Sequence, residues 1–227
     1  MRQRRPLGAW RRGTIAALAL FAAAACRAQV GATIGADTDY RYRGVSLSDS
    51  RPSAHVAVTY DDPGRWYAGA SAISATVGTT NDRDVRLLGY AGWTTPIDAG
   101  RHLEFGVDAS HFAGASGYDF VEGYAGLLGE RWSTRLYFAP DYYGQHVRIV
   151  YSELDAHVAI KETGRLFVHV GALLPVAGAH GEADKVRGDI TLGAGTALGD
   201  WDLHLAWVGA TRGGPYPAVF TGRSSAV

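Results

Sequence analysis

From residue 30 onward the chain alternates. Val30, Ala32, Ile34, Ala36, Thr38, Tyr40 and Tyr42 share one parity; Gly31, Thr33, Gly35, Asp37, Asp39, Arg41 and Arg43 share the other. Side chains along a strand alternate faces with a period of two. The stretch 30–43 therefore predicts one strand with an apolar face ending in tyrosines and a polar face ending in four charges. A membrane barrel wall has this makeup: lipid outside, water inside, aromatic rings at the interface.

The same pattern returns down the chain. Segments of roughly ten residues with period-two polarity, bounded by turn residues, predict strands over 30–43, 52–61, 65–77, 83–95, 101–112, 118–128, 131–140, 147–160, 165–174, 186–198, 201–211 and 217–225. In 101–112, for example, Leu103, Phe105, Val107 and Ala109 oppose Glu104, Gly106, Asp108 and Ser110. In 201–211, Trp201, Leu203, Leu205 and Trp207 oppose Asp202, His204 and Ala206. The connections alternate in length. DDPG, TPIDAG, GE, KETG and GD are short; the loops between them are mostly longer. Short turns on one side and longer loops on the other are the asymmetry of outer-membrane barrels. The expected fold is all-β: a transmembrane antiparallel up-and-down barrel of about 12 strands. An even count brings both ends to one side.

The first 28 residues read differently. Arg2, Arg4, Arg5, Arg11 and Arg12 precede an apolar run over 14–25 that is too short to cross a bilayer, which takes about 20 apolar residues. This predicts a secretory signal peptide over 1–28, cleaved after Ala28, with the barrel over 29–227. The leader holds six arginines and no acid, so the remainder has 16 basic and 22 acidic residues. That balance argues against a nucleic-acid partner, which calls for a basic face. Cys26, the sole cysteine, lies in the leader. The barrel must therefore be held by its own hydrogen bonds.

Two stretches carry a resemblance. Thr38-Asp39-Tyr40-Arg41-Tyr42-Arg43-Gly44, followed by the serine-rich run to Pro52, closely resembles the opening motif of the TorF-type family of porins. Tyr137-Phe138-Ala139-Pro140-Asp141-Tyr142-Tyr143-Gly144 is similar to that family's strand-to-loop element. The resemblance implies an outer-membrane β-barrel with a pore function. The chain departs from the usual aromatic barrel terminus: Phe220 is its last aromatic residue.

Charged positions of inward parity are the candidate pore lining: Asp37, Asp39, Arg41, Arg43, Glu104, Asp108, Glu122, Arg135 and Asp155. Rings of charge inside a pore set ion preference, and the excess of acids predicts mild cation preference. A wall-bracing network of ion pairs accounts for the same residues equally well. Tyr40, Tyr42, Trp93, Trp132, Trp201 and Trp207 are the expected interfacial girdle. The histidines are scattered without metal-ligand spacing, so no metal site or cofactor is expected. Ser110 and His111 are adjacent and fall on opposite faces, so they cannot act as nucleophile and base. The expectation is a non-enzymatic porin in the outer membrane of a Gram-negative bacterium, passing small hydrophilic solutes by passive diffusion. Its partners would be outer-membrane lipid, the barrel-assembly machinery and those solutes. A lipid-modifying enzyme on the same fold, or a closed structural or adhesive barrel, are the alternatives.

Overall fold

A computed structural model describes residues 29–77 and 82–221. Eleven strands form one antiparallel sheet in chain order. They are β1 (Gln29–Asp37), β4 (Ser53–Asp61), β5 (Trp66–Val77), β6 (Asp82–Asp98), β7 (Arg101–Phe112), β8 (Phe120–Leu128), β9 (Trp132–Ala139), β10 (Arg148–Ile160), β11 (Gly164–Ala177), β12 (Arg187–Leu198) and β13 (Trp201–Ala210). Two short strands, β2 (Arg41–Tyr42) and β3 (Val45–Ser46), make a separate hairpin. The sheet curls about one interior, because every one of its strands lines the same cavity.

Parity sorts the faces as the alternation dictates. Apolar side chains point outward along every strand, with Ile34 76%, Trp201 70% and Leu205 82% exposed. The outer faces of Val56, Phe105, Leu136, Val170 and Leu192 continue the same surface. A water-exposed monomer rarely shows more than a few hundred Å2 of contiguous apolar area. Most charged and tyrosine side chains of the strands point inward; Tyr60, Arg101 and His111, near strand ends, have the outward parity.

Glycine shapes the inner face. Tyr67 stands directly opposite Gly92, Tyr90 opposite Gly69, and Tyr124 opposite Gly106. A methyl group on any of these glycines would collide with the facing ring. Phe167 and Gly193 repeat the arrangement between β11 and β12. Each ring lies flat on the wall over the residue that lacks a side chain, covering exposed backbone.

Three expectations are corrected. The strand predicted over 30–43 ends at Asp37, and the chain then turns inward as the β2–β3 hairpin. Arg43 and Gly44 have φ of +50° and +72°, left-handed values that reverse the chain. The turned loop satisfies its own polar groups: Ser48 donates to Asp39 at 3.0 Å, and Arg41 pairs with Asp39 at 2.7 Å. Second, the strand predicted over 217–225 is replaced, as far as residue 221, by a short helix, α1 (Ala218–Thr221); 222–225 lie outside the described residues. Third, the sheet has eleven strands and is not closed. Among the described residues its edges, β1 and β13, are not paired. With an odd count both run toward the long-loop end, so direct antiparallel pairing between them is impossible.

Nitroxide labels placed singly along 103–108 of the detergent-refolded chain test the facing. Labels at 103, 105 and 107 are expected to respond to dissolved oxygen, and those at 104, 106 and 108 to be shielded from it. Accessibility without a period of two would contradict the sheet.

Candidate functional site

The interior holds two linked charge networks. In the first, Glu104 on β7 accepts from Arg135 on β9 and from the Tyr67 hydroxyl, each at 2.6 Å. Register explains the reach. Gly126 on β8 lies directly opposite both Glu104 and Arg135, so the arginine crosses a residue without a side chain. A Cβ on Gly126 would sit 3.0 Å from the Arg135 side chain and 3.1 Å from the Glu104 carboxylate. Arg135 also approaches Glu153 at 3.5 Å, and Tyr137 donates to Glu153 at 2.9 Å. The Tyr67 and Tyr124 hydroxyls meet at 2.8 Å.

The second network joins β10, β11 and β12. His169 stands opposite Asp155 and pairs with it at 2.8 Å through Nδ1, while Nε2 lies 3.1 Å from Asp189. The Tyr151 hydroxyl closes on His169 Nε2 at 2.9 Å. Glu153, Asp155 and His169 bring ligand-capable atoms within 4.8 Å of one another, so these three could hold a metal ion. Each is already engaged by another side chain, and a metal would have to displace those partners.

Above these networks sits the hairpin. Arg43 donates to both oxygens of Glu122 at 2.8 and 2.7 Å, and Tyr42 donates to the same carboxylate at 3.1 Å. The Arg43 guanidinium lies 4.0 Å from the Tyr151 ring centroid. Arg86 on β6, fully buried, donates to Ser110 at 2.6 Å and to the Tyr40 hydroxyl, and lies 4.0 Å from the Tyr42 ring centroid. The backbone N–H of Thr76 donates to Leu47 at 2.7 Å, tying the loop to β5. Val45 and Leu47 pack into a buried cluster with Phe112, Phe120, Tyr142, Tyr143, Tyr216 and Phe220. This plug occupies the long-loop end of the interior.

Below the plug lies a cavity of about 1870 Å3. It reaches Asp61, Leu128 and Asp202 beside the short turns. Between the unpaired edges it extends to the outward-facing Leu205 and Trp207.

The sequence-predicted residues divide among these places. Asp37, Asp39, Arg41, Arg43, Glu104, Asp108 and Arg135 line the cavity. Glu122 is fully buried beneath Arg43 and does not line it. Asp155 faces inward behind His169. Asp39, Arg41 and Arg43 do not form a ladder with Asp37, since they belong to the hairpin. Trp93, Trp132 and Trp201 stand on the outer face near the short-turn end, and Trp207 is on that face in mid-strand. Tyr40 and Tyr42 are not girdle residues; both are inside, hydrogen-bonded to Arg86 and Glu122. Ser110 receives Arg86 inside, while His111 pairs with Asp119 at 2.6 Å outside. Arg86, Tyr67, Tyr137, Tyr151, His169 and Asp189 complete the interior and were not among the candidates. Inward parity opposite a glycine would have found Tyr67 and Tyr124.

Three plug tyrosines have displaced titrations. Burial holds the hydroxyls of Tyr142, Tyr143 and Tyr216 well above the ordinary tyrosine value. A raised acid constant favours the neutral form in the fold. The stability it carries is present below about pH 10 and is lost as pH rises beyond that.

A family model described as "Bacterial protein of unknown function (Gcw_chp)" matches residues 21–224, and the chain belongs to that family. No curated protein and no solved structure matches it.

Removing one partner of a buried ion pair leaves a stranded charge. Glu122→Ala is therefore expected to cost about 3–5 kcal/mol in urea unfolding of the refolded chain. A loss under about 1 kcal/mol would contradict the buried pairing. Alkaline titration followed at 295 nm should show Tyr142, Tyr143 and Tyr216 ionising only as the chain unfolds; a full tyrosine complement titrating near pH 10 with the fold intact would contradict the plug.

Proposed function

We propose that this member of the Gcw_chp family is a membrane-spanning β-barrel of a Gram-negative outer membrane. Small hydrophilic solutes would enter its charged interior and pass when the hairpin plug yields. One observation carries this reading: through the body of the sheet, apolar side chains face out and the paired charges face in. In lipid every backbone group must be paired internally, and a sheet with this polarity meets that demand if its edges are joined. The leader-like first 28 residues and the likeness to TorF-type porins support export and a pore. The two stretches that carry that likeness also pack together here. Arg43 from the first lies 5.1 and 5.6 Å from the Tyr137 and Tyr142 rings of the second. The family-like signature is thus the plug itself, so passage is controlled where the signature residues meet.

The buried aromatic cluster favours a second reading, a permanently closed barrel with a structural role. Planar-bilayer recording separates the two. The refolded chain is expected to be mostly silent with rare discrete steps, and Glu122→Gln, which loosens the hairpin, to conduct at least about tenfold more often. Silence in both, with the fold confirmed by its β circular dichroism and heat-modifiable mobility, would sink the pore and leave the closed barrel.

A further inference from the structure

The acids bordering the cavity outnumber its arginines. Almost all the interior carboxylates are taken: Glu104 by Arg135, Glu122 by Arg43, Asp189 by His169 and Tyr151. Among the described residues, Asp108 is a buried exception. It borders the cavity, is only 9% exposed, and its Oδ1 has no hydrogen-bond partner. Its neighbours on the wall are of two kinds: Glu122, already held by Arg43, stands directly opposite on β8, and tyrosines lie on the other side. Tyr90 stands directly opposite it on β6. The Tyr124 ring lies over Gly106, two residues along on the same inner face. Tyr90 and Tyr124 both border the cavity with Asp108. Tyr67 adds a third, its centroid 6.2 Å from that of Tyr90.

A carboxylate in want of a partner, bordered by tyrosine rings, is the chemistry that recognises an organic ammonium group. A bare metal ion fits less well, since it calls for several free oxygen or nitrogen ligands and Asp108 supplies the only carboxylate in this patch that is not already paired. We propose that the cavity holds a primary or quaternary ammonium ligand at Asp108, with Tyr90 and Tyr124 against its alkyl and charged surface. The inference rests on the solute-accessible interior proposed above.

Titration calorimetry of the full refolded chain in zwitterionic micelles tests it, with spermidine and tetramethylammonium as probes and calcium and acetate beside them. The expected result is saturable heat with the ammonium probes and none with acetate. Asp108→Asn should weaken binding at least about tenfold. Tyr124→Phe, which keeps the ring, should bind nearly as the parent does, and Tyr124→Leu should lose several-fold. The Tyr124 pair keeps the test decisive if Asp108→Asn does not fold. No ammonium heat, or Asp108→Asn binding like the parent, overturns the inference. So does calcium binding that Asp155→Asn abolishes, because it assigns the cavity to a metal. A chain that conducts without binding these probes overturns this inference alone. A chain that binds without conducting overturns only the pore.

Discussion

The interior of this protein is arranged around one buried ion pair, Arg43 with Glu122. Both side chains are nearly or fully withdrawn from solvent. Withdrawing two such charges costs several kcal/mol each, and their attraction offsets that only with good geometry and further hydrogen bonds. The geometry here is two-pronged, and Tyr42 adds a donor to the same carboxylate. Arg43 is also enclosed by the Tyr42, Tyr137 and Tyr151 rings. The hairpin can lie inside the sheet because this pair holds it there. Once it lies there, Val45 and Leu47 have an apolar cluster to join, and Arg86 has Tyr40 and Tyr42 to meet.

The wall is built for such an interior. Its outer face is predominantly apolar, with charges such as His111 and Arg101 confined to strand ends, so the outer surface contributes nothing to holding the interior charges. All polar satisfaction must come from within. Glycine makes this possible by leaving space at chosen rungs. Gly126 lets Arg135 reach Glu104 across a whole strand, and Gly69, Gly92 and Gly106 receive tyrosine rings flat against the backbone. At these rungs glycine is interior architecture, placed opposite large inward side chains. Substituting Val for Gly126 would separate the first network without touching a charged residue.

Most of the sheet was legible in the sequence, since a period of two is hard to imitate by chance over ten residues. The strands at 101–112 and 201–211 follow the reading closely, and Leu103, Val107, Leu205 and Trp207 face as their parity demands. The hairpin was not legible for a definite reason. The alternation of charge and tyrosine runs on through Arg43 although the strand stops at Asp37. A pattern of faces records polarity and not direction, and Asp39 with its serine partners bends the chain without breaking that pattern. Tyr40 and Tyr42 consequently moved from an expected lipid interface to the interior. The networks through His169 and Gly126 were hidden because they depend on register between strands, which no single strand encodes.

The plugged interior and the proposed lipid setting together require that the hairpin stay inside the sheet in a bilayer. Single cysteines in place of Val45 and Leu47, in the chain reconstituted into vesicles, answer this directly through their reaction with a water-soluble maleimide. Both are expected to stay unlabelled while a cysteine at the exposed Asp184 reacts at once, and both to react after unfolding in urea. Prompt labelling at 45 and 47 in the intact vesicles would show the hairpin outside the wall and contradict the account.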